Sequence, residues 1–244
     1  MRRLLLPLSI ALLLAAPVVA SAAVNPERNA GALTNAMAVP GVPIAGAAFS
    51  LYPNTDPALG TSTGIANAPL TDFPINGSTF AILASGDARN ADPATSGPGS
   101  LNAAAPLVRG DAYDATILRV DIDVPGNANC LSLGFRFFTD EAAGATYNDG
   151  FVAELGSSTW SVDPATNQIS APNNFAFDQN GDPLSVNSPG AASFTAAGAA
   201  GTGYSIGTQR LSAARAVSPG RSVLYLSVST CRTGSSTRPR SSIA

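Results

Sequence analysis

TILRVDIDVPGNANCLSLGFRFF, Thr116 to Phe138, decides the fold. In its first half Leu118, Val120, Ile122 and Val124 occupy every second position, with Arg119, Asp121 and Asp123 between them. Successive side chains of an extended chain point to opposite faces, so this is a strand with one face in a core and the other in water. PGNAN (Pro125 to Asn129) makes a turn, after which Leu131, Leu133, Phe135 and Phe137 again share a face. Working outward, strands are expected at Phe80–Leu83, Phe151–Leu155, Thr159–Val162, Phe175–Phe177, Leu184–Val186 and Val223–Val228, separated by Gly, Pro and Asn. Helical signal is thin. AASFTAAGAAGTG (Ala191 to Gly203) is Ala-rich, but its glycines and missing apolar stripe predict a loop or a single turn. The pattern predicts an all-β chain: an antiparallel β-sandwich, jelly-roll-like, in a single domain.

The ends of the chain bear on compartment. Arg2 and Arg3 precede an apolar run from Leu4 to Val19, and Ala20-Ser21-Ala22 supplies the small residues of a cleavage site. Residues 1–22 therefore read as a secretory signal peptide rather than a buried helix or a membrane anchor. The mature chain is expected to start at Ala23, to be exported to the extracellular space or cell surface, and to have no transmembrane span. Its first part, residues 23–72, is rich in Pro, Gly, Ala and Asn. It reads as a partly mobile wrapping segment with one or two edge strands, VPIAGAAFSLY (Val42 to Tyr52) being the best of them.

Composition narrows the chemistry. The chain has no Lys and no His; after residues 1–22 are removed, 11 Arg face 16 acids, a side-chain net of −5. An acidic surface without basic runs argues against nucleic acid and anionic membranes. Without His there is no Ser-His-Asp or Cys-His arrangement and no imidazole metal ligand.

Several blocks occur in an order that resembles the choice-of-anchor L domain, a family of exported bacterial domains. They are FPINGSTFAILASGDARNAD, VRGDAYDATILRVDIDVP, NCLSLGFRFFTDE, YNDGFVAEL, ISAPNNFAFDQNGDPLSVNS and SPGRSVLYLSVS, between Phe73 and Ser229. The resemblance implies a secreted or surface-displayed β-sandwich over residues 73–229 and brings no defined enzymatic activity. Two departures stand out. The family's longer acidic loop, like Ser-Glu-Glu-Tyr-Pro-Glu followed by Phe-Asn-Asp, is shortened here to TDEAAGATYND. Asp140 and Glu141 match its acidic pair, and Asn148 and Asp149 its Asn-Asp. The second departure is the end. Where the family has a strand like Asp-Ser-Ala-Val-Phe-Leu-Asp-Asn, residues 230–244 read as an irregular Arg/Ser tail. One permitted set of codons for Ser235 to Ile243, read from the third base, encodes Leu-Asp-Ser-Ala-Ala-Phe-Val-Asp. A frameshift near Ser229 is therefore one reading of the tail, and a natural Arg/Ser tail is the other; the coding DNA distinguishes them. Loss of the family's last strand would expose a sheet edge.

Two cysteines in an exported chain suggest a disulfide, here Cys130–Cys231. If Cys231 belongs to a shifted frame, no such pair was selected. The preferred expectation is that they do not pair and that Cys130 is a small buried hydrophobe.

The candidate site is the loop holding Asp140, Glu141, Asn148 and Asp149, on strands expected to be neighbours. Hard cations take six to eight oxygen ligands, so these four side chains form a candidate calcium or sugar-hydroxyl site. Against this stands a plain turn, with Asp140 and Glu141 solvated and Asn148 and Asp149 bonding local backbone, and the turn is preferred. Catalysis by the carboxylates would require a cleft and a raised pKa, and the sequence gives no sign of either. DQNGD (Asp178 to Asp182) reads as a hairpin around Asn180-Gly181 rather than a calcium loop. RGD (Arg109 to Asp111) is a chance tripeptide before a strand. Asn76-Gly77-Ser78 fits a glycosylation sequon. Trp160 is expected in the core, and Arg136 beside an inward acid.

These readings converge on a non-catalytic secreted or surface-displayed module. Its expected work is binding or adhesion to glycan or extracellular matrix, calcium-assisted if the loop is a site. The alternative is a structural, self-associating component of an envelope or extracellular assembly; a carbohydrate-active hydrolase ranks last.

Overall fold

The computed structural model describes residues 24–53, 60–97, 99–101, 108–231 and 241–243. The expected signal peptide and residues 232–240 of the expected tail lie outside them. In chain order the elements begin with β1 (Val24–Pro26), α1 (Ala30–Met37), β2 (Ile44–Leu51), β3 (Thr63–Ala66) and β4 (Phe80–Ala84). Next come β5 (Ala112–Val124), β6 (Cys130–Phe135), β7 (Phe137–Thr139), β8 (Gly150–Leu155), β9 (Ser161–Asp163) and β10 (Gln168–Ser170). The last are β11 (Ile206–Gly207), β12 (Leu211–Ala216), β13 (Gly220–Cys231) and β14 (Ser241–Ile243).

The fold is all-β, as the alternation predicts. One sheet has the order β1-β3-β4-β14-β7-β11 and another the order β2-β5-β13-β8; β6 pairs with β12 and β9 with β10. Each of these pairings is antiparallel. Leu118, Val120, Ile122 and Val124 of β5 meet Leu83 of β4, Phe137 of β7 and Leu226 of β13 in one apolar core, so both large sheets bury a face there. On the outer side of β5, Arg119 pairs with Asp121, and Arg221 of β13 with Asp123. Trp160 is buried in a smaller cluster with Ile117 and Val162.

Several expectations need correction. The strand read through Cys130–Phe138 breaks at Arg136, and its halves pair in different sheets. The cause is Arg136 itself. Its guanidinium turns inward, donating to the carbonyls of Thr208 and Gly198 and pairing with Asp72 at 2.6 Å. Arg136 thus has an acid partner, but Asp72 lies at the surface, whereas an inward acid was expected. Phe175–Phe177 and Leu184–Val186 touch β8 or the adjoining hairpin only through single bridges. There the Asn174 carboxamide accepts the Ala153 and Ala176 N–H groups, replacing part of a backbone ladder.

The N-terminal segment does more than wrap the sheet. β2 is an edge strand as expected, but β3 lies inside the six-stranded sheet and α1 was not foreseen. Asn29 caps α1 by accepting the Ala32 N–H, and Leu33 anchors the helix in the main core.

The tail is not wholly irregular. Thr230 and Cys231 continue β13, and Ser241–Ile243 forms β14 between β4 and β7, with Ile243 in the core. A slot between two strands offers unpaired backbone groups, and even a polar segment with one apolar residue can satisfy them.

Candidate functional site

The acidic loop leaves β7 in one large sheet and enters β8 in the other, so its flanking strands are not neighbours. This crossing turns the loop inward. Glu141 is 2 % exposed, and Asn148 and Asp149 are fully buried. Asn148 Nδ2 donates to the Asn167 carbonyl, and its Oδ1 accepts from Ser185 Oγ and the Asn187 N–H. Its backbone N–H and carbonyl both bond Cys231. Asp149 Oδ2 accepts from Thr139 Oγ1 at 3.0 Å, and the same hydroxyl accepts the Glu141 N–H. Only Asp140 lies toward the surface, where it accepts from the Ser205 N–H and Oγ.

Both competing readings of the loop therefore change. Glu141 is not solvated, and Asn148 does not serve a local turn but ties the loop to residues 167 and 185–187. Among the described residues no group of three or more His, Cys, Asp or Glu is placed to hold a metal ion, and Asn148 is already engaged. Glu141 instead stands beside Asp149 as a carboxyl pair. Burial, then the negative charge of Asp149 and to a lesser degree that of Asp140, push the Glu141 pKa from 4.5 up to about 9. The Asp149 N–H pulls the other way without closing a well-formed hydrogen bond to either Glu141 oxygen. At neutral pH Glu141 is consequently a neutral acid inside the fold.

Cys231 packs near this pair, fully buried, and burial reinforced by the charges of Asp149, Asp111 and Glu141 raises its thiol pKa well above the ordinary value. Cys130 is exposed at the start of β6, against the expectation of a buried hydrophobe; both cysteines are free thiols. A strand's first residue has neighbours on one side only, which leaves its side chain open.

The other motifs resolve into structure. Arg109 and Gly110 both have positive φ, and a Cβ on Gly110 would lie 2.1 Å from the Val162 carbonyl oxygen. Arg109 donates to the Ser158 and Trp160 carbonyls and lies over the Trp160 ring, so RGD is a packed turn. Asp178 accepts the Asn180 and Asp182 N–H groups around Gly181, which has φ +86°, giving a tight turn closed by the single bridge Phe177–Pro183 in place of the expected hairpin of two strands.

A second site has no precursor in the sequence reading. Where β6 diverges toward β12, a cavity of about 500 Å³ opens beneath α1, bounded also by β4, β5 and β13. Its inner end is formed by Phe151, Leu224, Leu226 and Ile243, all buried. Its mouth is formed by Val39, Ile75, Asn76, Ser132, Arg210 and Ser212. Val39 and Ile75, 42 % and 43 % exposed, are the large hydrophobic residues left in water among the described residues. The half-buried pair Leu131 and Leu133 was a signal, but it reads the same as any strand at a core margin. Comparison of the chain with protein-family models, with curated proteins and with solved structures finds no match.

Proposed function

We propose that this chain is an exported, non-catalytic binding module of the β-sandwich type, as its blocks resembling choice-of-anchor L domains suggest, and that it binds through the cavity rather than the acidic loop. The cavity carries this reading. A concave, largely apolar space of several hundred Å³ with a few polar groups at its rim has the size and character of small-molecule sites. The loop's Glu141 and Asp149, by contrast, are closed off from any substrate or glycan, which also speaks against their use as a hydrolytic pair. Assembly through sheet edges is the weaker reading. β2, the outer strand of the four-stranded sheet, carries register shifts near both its ends, and bulges of this kind blunt an edge against pairing.

The test uses N-phenyl-1-naphthylamine, a neutral apolar fluorophore, titrated into the exported protein. Saturable one-to-one uptake is expected, together with no signal on a glycan array with or without calcium. Glycan binding without dye uptake would reverse the assignment of the site.

A further inference from the structure

Resting on that reading, we infer that the cavity takes the aliphatic chain of a single-chain amphiphile with an anionic head, such as a long-chain carboxylate, the head lying at Arg210. The cavity is polarised from end to end. Phe151, Leu224, Leu226 and Ile243 at the inner end present only hydrocarbon, and a water there would find none of the two to four polar partners it needs. Away from the mouth the polar lining side chains are Thr34 and Thr79, and their hydroxyls are spent on the Ala30 and Ala36 carbonyls of α1. The ligand must therefore be apolar at one end and polar at the other.

Size and depth exclude other occupants. An engineered cavity of about 150 Å³ holds benzene, so a space of this volume holds a chain of roughly twelve to eighteen carbons. Along β6 the lining runs from Leu131 to Phe135, about 13 Å at the rise of a strand. A second folded protein surface would cover the mouth but leave the buried inner end empty.

The charge at the mouth selects the head. Asp72 lies between two guanidiniums, at 2.6 Å from Arg136 and 3.4 Å from Arg210. Arg136 is nearly buried and is also held by the Thr208 and Gly198 carbonyls, whereas Arg210 is half exposed and lines the cavity. One carboxylate against two cations leaves this trio with a net positive charge, with the surplus on the more exposed, less closely paired Arg210. A carboxylate head at that position gains a charge-assisted pair that an alcohol does not. Val39 and Ile75 then flank the first methylenes below the head, which accounts for two large apolar side chains standing in water on an otherwise polar surface.

The test is displacement of N-phenyl-1-naphthylamine by hexadecanoate, below its micelle-forming concentration, and by hexadecanol. Hexadecanoate is expected to displace the dye one to one and to bind about tenfold more tightly than hexadecanol, a gap of about 1.4 kcal/mol. Arg210→Gln is expected to abolish that preference by weakening hexadecanoate about tenfold. Leu133→Trp is expected to weaken all three ligands. Should Leu133→Trp not fold, Ile75→Glu at the exposed mouth serves instead and is expected to weaken hexadecanoate more than hexadecanol. Dye uptake without displacement by hexadecanoate, or an Arg210→Gln protein that still prefers the acid, overturns this inference and leaves the binding reading standing. If neither dye nor amphiphile binds, both fall.

Discussion

Between β7 and β8 the chain buries Glu141, Asn148 and Asp149, whereas between α1 and β12 it leaves Val39 and Ile75 in water. Residue type alone assigns these regions the other way round. A polar loop is expected at the surface because buried polar groups lose their hydration, and an isolated Val or Ile attracts no notice. Asn148 and Asp149 Oδ2 escape that penalty through partners from four separate segments, at Thr139, Asn167, Ser185–Asn187 and Cys231, whereas Glu141 meets it by holding its proton. The cavity rim makes no such exchange, and its exposed hydrocarbon awaits a partner. The loop is thus a fastening between the two large sheets, and the rim is the place at which we propose that the molecule binds.

The sharpest way to break this comparison is pH. Between its ordinary value of 4.5 and its folded value of about 9, Glu141 keeps a proton in the folded chain that the unfolded chain releases. Stability from this group is therefore greatest below pH 4.5 and falls as pH rises, until the loss is complete near pH 9. The slope is at most about 1.4 kcal/mol per pH unit, or up to about 4 kcal/mol between pH 5 and 8. Urea unfolding across that range is expected to show the decline in the natural chain and a slope smaller by one proton in Glu141→Gln. Equal slopes would mean that Glu141 is charged and solvated.

Asn148→Ala comes next. It removes three hydrogen bonds, two of them fully buried, and leaves the Asn187 N–H and Ser185 hydroxyl without that acceptor, at a cost of about 3 kcal/mol in urea unfolding. A change below about 0.5 kcal/mol would return Asn148 to the surface turn that the sequence suggests. A cysteine also lies near each region, Cys231 beside the loop and Cys130 next to Leu131 of the cavity lining. Cys130 on β6 is expected to react with an aromatic disulfide reagent about a hundredfold faster than Cys231 beside the loop, because burial both blocks access and suppresses the thiolate. Mass mapping of the labelled peptides reads the ratio, and comparable labelling would show the loop region opening as readily as the rim. The smallest expected effect is at the mouth: Ile75→Ser is expected to shift stability by less than about 0.5 kcal/mol while reducing dye uptake. A large loss of stability would make Ile75 part of the core rather than of a binding surface.

Alternation in Thr116–Phe138 was enough to identify the core face of β5 and the shared face of β6 and β7, because side-chain direction along a strand is set locally. Asn180-Gly181 marked its turn for the same reason, since positive φ is a property of a residue and its neighbours. Local signals did not disclose the break at Arg136, since it depends on the carbonyls of Gly198 and Thr208 and on Asp72, more than sixty residues away in sequence. α1 escaped notice because eight residues containing Gly31 have weak intrinsic helicity, and its stability comes from Asn29 and from Leu33 in the core.

The candidate sites divide in the same way. The four oxygen-bearing residues of the loop could be picked out by type and spacing, but whether they faced solvent depended on β7 and β8 belonging to different sheets. The cavity could not be read at all, because a void is a property of how elements diverge and no residue encodes it singly. By itself the sequence determined an all-β chain, the inward face of its central strands, and the absence of imidazole chemistry. Tertiary structure decided that carboxylates would be locked inside while hydrocarbon stayed in water, because burial is settled by which distant segments arrive to supply hydrogen bonds and which leave space behind.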